Sequence, residues 1–193
     1  MLKLLIIAID SMLISNIILM KFLGICAYIG VSKKQETAAG MGFAVIFVMV
    51  MATLISYLLQ IYVLNPLKLQ YLQTIVFIFV IAALVQIVEI TMKKIAPALF
   101  EALGIYLPLI TTNCTILGVA ILNIQKNYNL METIVFSLST GIGYFIAIYL
   151  FAGIREKMEW ADIPEPFKGP AIGIITAGLM SLAFFGFTGL VKM

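Results

Sequence analysis

The charges in this chain lie too far apart for a soluble fold. Cut at its charged residues and prolines, the sequence falls into six apolar segments, at roughly 3–30, 38–60, 70–92, 99–124, 131–153 and 170–190. Each is long enough to cross a hydrocarbon layer about 30 Å thick, which takes about 20 helical residues. None alternates like a barrel strand, so the spans are helical, the structure in which a segment satisfies its own backbone in lipid. Composition agrees. Hydrophobic residues make up 63% and charged residues 11%, against about 45–50% and about 25% in a soluble domain. The expected fold is an all-α integral membrane protein, one membrane domain over 1–193 with no attached catalytic module. The N-terminal apolar stretch has no small-x-small cleavage site and reads as a retained first span, not a signal peptide.

Lysine and arginine set the expected orientation. The loops after the first, third and fifth segments hold Lys33, Lys34, Lys93, Lys94, Arg155, Lys157 and Lys168, and the opposite side holds Lys3, Lys68, Lys126 and Lys192. Basic loops stay in the cytoplasm, so both termini are expected outside a bacterial or archaeal cytoplasmic (inner) membrane. The net charge of +3 is a mark of topology and implies membrane lipid around the chain, with no nucleic-acid partner.

The two cysteines stand in copies of one short pattern. "CAYIGV" at 26–31 and "CTILGV" at 114–119 both read Cys-x-x-x-Gly-Val. Glu36-Thr37 has a counterpart in Glu132-Thr133, and "GMGF" at 40–43 resembles "GIGY" at 141–144. Three spans per half put the second copy in the membrane upside down. The sequence thus predicts two inverted repeats, about 1–95 and 96–193, with a site between them at mid-membrane.

Segments one and four are too long for single helices. From Phe100 to Gln125 would measure about 39 Å as a helix, and Lys3 to Lys33 about 46 Å. Pro108 removes a backbone donor, and Thr111, Thr112 and Asn113 compete for backbone hydrogen bonds. These residues predict a broken fourth helix with Cys114 at the break. A break near Lys21–Gly24 would shorten the first helix in the same way, placing Cys26 about 10 Å inside one surface and Cys114 about 18 Å inside the other. The two thiols would then sit on half-helices that approach each other from opposite faces.

A cysteine in a membrane helix is by default a small apolar residue. Two at equivalent breaks suggest more. A thiolate in apolar protein needs a nearby cation, which a metal centre supplies. Two thiolates are half of the four that hold a [2Fe–2S] cluster, and the other two would come from another chain. The chain has no histidine, which removes the usual haem ligand and histidine proton relays. Both cysteines lie in apolar segments, away from the loops where structural disulfides form.

The stretches "KFLGICAYIGVSKKQETAAGMG", "LGIYLPLITTNCTILGVA", "IREKMEWADIPEPFKGPAI" and "ITAGLMSLAFFGFTGLVKM" closely resemble the RnfA family, membrane subunits of the Rnf electron-transport complex, from end to end. The NqrE subunits of sodium-pumping NADH:quinone oxidoreductase are homologous and share the "VSKK" and "TTNC" regions. The resemblance implies a homologous partner of opposite topology, RnfE or the NqrD-like equivalent, and a [2Fe–2S] cluster held between the two at mid-membrane, with Cys26 and Cys114 at the ligand positions. It implies electron transfer across the membrane between flavin-bearing and iron–sulfur subunits of a ferredoxin:NAD oxidoreductase, coupled to sodium or proton translocation. This chain would hold no flavin or nucleotide and no complete active site alone. It has neither a Gly-rich phosphate loop nor the flavinylation sequence Ser/Thr-Gly-Ala-Thr.

Other features have two readings each. Asp10 and Glu89 are acids inside apolar segments, where ion paths are often found, but Glu89 is also at helical pairing distance from Lys93. Lys21, beside the expected break, is either a counter-charge for an anionic cluster or a side chain snorkelling to an interface. Gly40, Gly42, Gly141, Gly143 and the Gly169-x-x-x-Gly173 interval fit close helix packing. The polar stretch 155–168 is a solvated loop or a docking surface. A six-span, substrate-binding transporter component fits the same size and span count, as does a structural scaffold, but neither explains the symmetric cysteines.

Overall fold

The computed structural model describes residues 2–67, 70–95, 109–110, 112–158, 160, 164, 167 and 169–188, and among these there is no strand. The first segment is three helical pieces: α1, Leu2–Ile9, continuing as a π turn over Asp10–Ile14; α2, Ile17–Lys21; and α3, Ile25–Val31. Long helices follow. α4 spans Gln35–Leu59 and continues as a π turn over Gln60–Leu64, and α5 spans Gln73–Ile95. Then come α6, Cys114–Gln125; α7, Leu130–Met158; and α8, Pro170–Thr188.

Among the described residues three helices are long and apolar enough to cross a membrane: Gln35–Leu64, Gln73–Thr91 and Leu130–Met158. α6 and α8 are shorter apolar helices. The first half of the expected fourth span, with Pro108, and Thr111 beyond it lie outside the described residues.

The first segment is interrupted twice, where the length argument asked for one break. At the first interruption, the Asn16 side chain accepts from the Ile18 N–H (3.1 Å) to start α2 and donates to the Gly143 carbonyl of α7 (2.8 Å). At the second, Phe22 and Gly24 are left-handed, with φ of 55° and 84°. Left-handed backbone disfavours a side chain by about 1–2 kcal/mol, so Phe22 is held there by its surroundings.

α4 and α7 form the centre of the bundle and cross at their glycine patterns. Gly42 lies against the Phe145 ring, and a Cβ at Gly141 would sit 3.1 Å from Ile46 Cγ1. Lipid removes the hydrophobic drive between helices, so close packing over small residues must hold them. Gly143 lets the π turn of α1 lie directly on α7, where a Cβ would meet the Met12 carbonyl at 2.7 Å. Tyr28 of α3 stacks on Phe151 of α7 with centroids 4.2 Å apart, both fully buried.

α7 runs to Met158, about five residues beyond the expected end, so Arg155 and Lys157 occupy its last turn instead of a loop. The cause is long-range. The Arg155 guanidinium donates to the Ile29 carbonyl and to Ser32 Oγ (3.0 Å), capping the end of α3, and lies 5.8 Å from the Phe151 ring centre. The Lys3–Glu132 pair, at 2.7 Å, puts the start of α1 and the start of α7 on one face of the bundle.

Candidate functional site: two cysteines where two helices begin

α3 and α6 begin at the same place. The Gly24 N–H, just ahead of α3, donates to Cys114 Sγ, the first side chain of α6, at 2.9 Å. Residue 24 must be glycine for two reasons. Its φ is +84°, and a Cβ there would run into the Thr115 hydroxyl while lying 3.2 Å from Asn113 Oδ1 and 3.3 Å from Tyr144 Cε2. α6 starts on the Asn113 side chain, which accepts from the Thr115 N–H at 3.0 Å.

The contacts around the thiols are reciprocal. Gly30, four residues after Cys26, meets Leu109 Cδ1 at 3.6 Å, and Gly118, four residues after Cys114, meets Leu23 Cδ1 at 2.6 Å, measured to where a Cβ would stand. Each helix therefore receives, on its glycine, the leucine that precedes the other helix's cysteine. Both cysteines are free thiols. Cys26 is exposed and Cys114 half-buried.

Three polar groups at this point are buried without a hydrogen-bond partner: Asn113 Nδ2, Thr115 Oγ1 and the Tyr144 hydroxyl. The Tyr144 ring edge lies beside Gly24, and its hydroxyl approaches the Asn113 side chain without forming a hydrogen bond of ordinary geometry. All three can donate a hydrogen bond. An anionic sulfur-rich group on the thiols would fit that donor set, and the thiols themselves are the ligands such a group requires. Among the described residues no group of three or more Cys, His, Asp or Glu forms a complete metal site. The two thiols are at most part of one.

The other polar residues singled out in the sequence lie elsewhere, and no hydrogen bond or ion pair joins Asp10, Glu89 or Lys21 to either cysteine. Asp10 opens the π turn of α1 and accepts from Ser15 Oγ at 3.4 Å. Glu89 borders a largely apolar cavity of about 690 Å³ between α4 and α5. Lys21 ends α2, exposed, and shares a small cavity with Lys126, Ser15 and Thr140. Sequence reasoning missed Tyr144 and Thr115 as members of the site. Tyr144 carried one signal, its place in the repeated "GIGY".

The family model for Rnf-Nqr subunits, membrane proteins, matches residues 4–191. The chain belongs to the Rnf-Nqr family. Among its relatives, a protein of Vibrio cholerae serotype O1 (strain El Tor Inaba N16961), named as the A subunit of an ion-translocating oxidoreductase complex, is 52% identical over 189 residues, covering 98% of each chain. Proteins of the same name from Sodalis glossinidius and Actinobacillus pleuropneumoniae serotype 5b are 52% and 54% identical over 185 residues, covering 96% of each chain. The Rnf-Nqr match takes in every described helix from α2 to α8 and most of α1, including both cysteine regions. It sets aside the substrate-binding transporter reading.

Proposed function

We propose that this chain is the A subunit of an ion-translocating oxidoreductase complex of the Rnf type, and that Cys26 and Cys114 hold half of a [2Fe–2S] cluster completed by two cysteines of a homologous partner protein. The observation that carries this reading is the meeting of α3 and α6 at their starts, with one thiol on each and the Gly24 N–H on the Cys114 sulfur. Reciprocal leucine–glycine contacts are what two inverted copies related by a pseudo-two-fold axis would make, so the reading includes inverted repeats over about 1–95 and 96–193. It also includes six spans, with both termini outside the cytoplasmic membrane.

When bound, the cluster would supply one-electron transfer between the two faces, linking flavin and iron–sulfur subunits in a ferredoxin:NAD oxidoreductase that moves sodium or protons. The chain's own residues do the holding. Gly24 N–H steadies one sulfur, and Asn113, Thr115 and Tyr144 present donors to negative charge.

The test is co-production with the homologous partner, followed by visible absorption and iron and sulfide assay. A coloured pair with iron and sulfide, lost in Cys26→Ser and Cys114→Ser, is expected. A colourless, iron-free pair, or serine variants with full iron, would overturn the cluster.

A further inference from the structure

We propose that the hydroxyls of Tyr144 and Thr115 donate hydrogen bonds to sulfur atoms of the group bound at Cys26 and Cys114, and so raise its reduction potential. The inference rests on the cluster reading above.

Both hydroxyls are completely buried and have no partner. The hydroxyls of Ser56, Thr133 and Thr140 are also buried without a partner, while several other helical hydroxyls are paired. Thr53, Thr91, Thr176 and Ser137 each donate to the carbonyl four residues earlier in their helix, at 2.7–2.8 Å. Thr115 stands in the first turn of α6. Tyr144 comes from a different helix, α7, yet its ring edge lies beside Gly24, whose N–H is on the Cys114 sulfur. Two unrelated elements therefore bring unpaired donors to the surroundings of Gly24, beside the Cys114 sulfur. A buried donor without an acceptor is strongly disfavoured, and sulfur carrying negative charge can accept a hydrogen bond. Tyr28 provides an internal control. It lies two residues after Cys26, and its hydroxyl already donates to Met180 Sδ at 3.6 Å.

The electrostatic direction follows. Reduction adds an electron whose charge spreads over the sulfurs, so a donor to sulfur stabilises the reduced form more than the oxidised one. Removing a donor lowers the potential.

The experiment is a redox titration of the cluster by electron-spin resonance, in the complex purified with its partner. Iron content is measured alongside. Tyr144→Phe and Thr115→Val should keep iron and lower the midpoint. A tenfold fall in the reduced-to-oxidised ratio at fixed potential corresponds to about 59 mV for one electron. The double variant should fall further, while Thr115→Ser and Tyr28→Phe stay at the wild-type value. If Tyr144→Phe fails to assemble, the Thr115→Val and Thr115→Ser pair decides. Unchanged midpoints with intact iron would overturn this inference and leave the cluster standing. Absence of iron from the wild-type complex would overturn the cluster itself.

Discussion

The two cysteine helices have the same short pattern and are held in different ways. α6 is fixed at its start: Asn113 caps it, and the Cys114 sulfur takes the Gly24 N–H. α3 has no side-chain cap at its start. It is fixed at its end instead, where Arg155 reaches over from α7 to the Ile29 carbonyl and Ser32. Accordingly, Cys114 is half-buried and Cys26 is exposed. A site complete within one chain would enclose both thiols. One thiol set in place by its own chain and one left open is the form expected of a site that a second chain closes, with Cys26 on the closing side.

The sharpest way to break this comparison is to remove each thiol. Under the shared-cluster reading, Cys26→Ser and Cys114→Ser should each abolish the cluster despite their different burial. The double variant should be hardly worse, since ligands of one group act as a unit. Iron content and the electron-spin-resonance signal report it. Loss in Cys114→Ser alone would make Cys26 an ordinary surface residue.

Next in size is the hinge between the two helices. Gly24→Ala adds a Cβ against Thr115 and forces alanine to a φ of +84°, so the complex should lose on the order of 1–3 kcal/mol from crowding and a further 1–2 kcal/mol from the backbone. Gly30→Ala meets only Leu109 at ordinary contact distance, 3.6 Å, and should be close to neutral. Thermal unfolding of the detergent-solubilised complex compares them. Equal losses would mean that the meeting point is not special.

A smaller effect separates the far ends of the helices. Arg155→Met removes the cap of α3 and should speed modification of Cys26 by a thiol reagent several-fold, leaving Cys114 unchanged. Its stability loss is about 1.5–3 kcal/mol at most, the range for hydrogen bonds to a charged donor. Acceleration at both thiols would show that α3 and α6 loosen together. The smallest change is expected from Lys3→Ala, which removes an exposed ion pair far from either cysteine and should leave iron content and unfolding at wild type.

Much of this was readable in the sequence because lipid imposes simple lengths. The long spans follow from runs of about 20 apolar residues, and the interruption after Lys21 follows from a first segment too long for one helix. The start of α6 at Cys114 follows from Asn113, a local cap. What could not be read depends on contacts across the chain. Asn16 breaks the first segment a second time because its side chain finds the Gly143 carbonyl on α7. Arg155 looked like a loop charge because its acceptors, Ile29 and Ser32, are more than 120 residues earlier in the chain. Tyr144 looked like one more aromatic in an apolar helix. Only the crossing of α7 over Gly24 makes its hydroxyl part of the cysteine site.

The central claim is that the two thiols share one group with a second chain, and native mass spectrometry of the detergent-released pair tests it most directly. The intact heterodimer should carry the added mass of one two-iron, two-sulfide cluster, and this chain, once separated, should carry none. Serine at Cys26 should leave the pair at its bare protein mass. A separated chain that keeps the whole cluster mass on its own, or a wild-type pair with no added mass, would contradict the account.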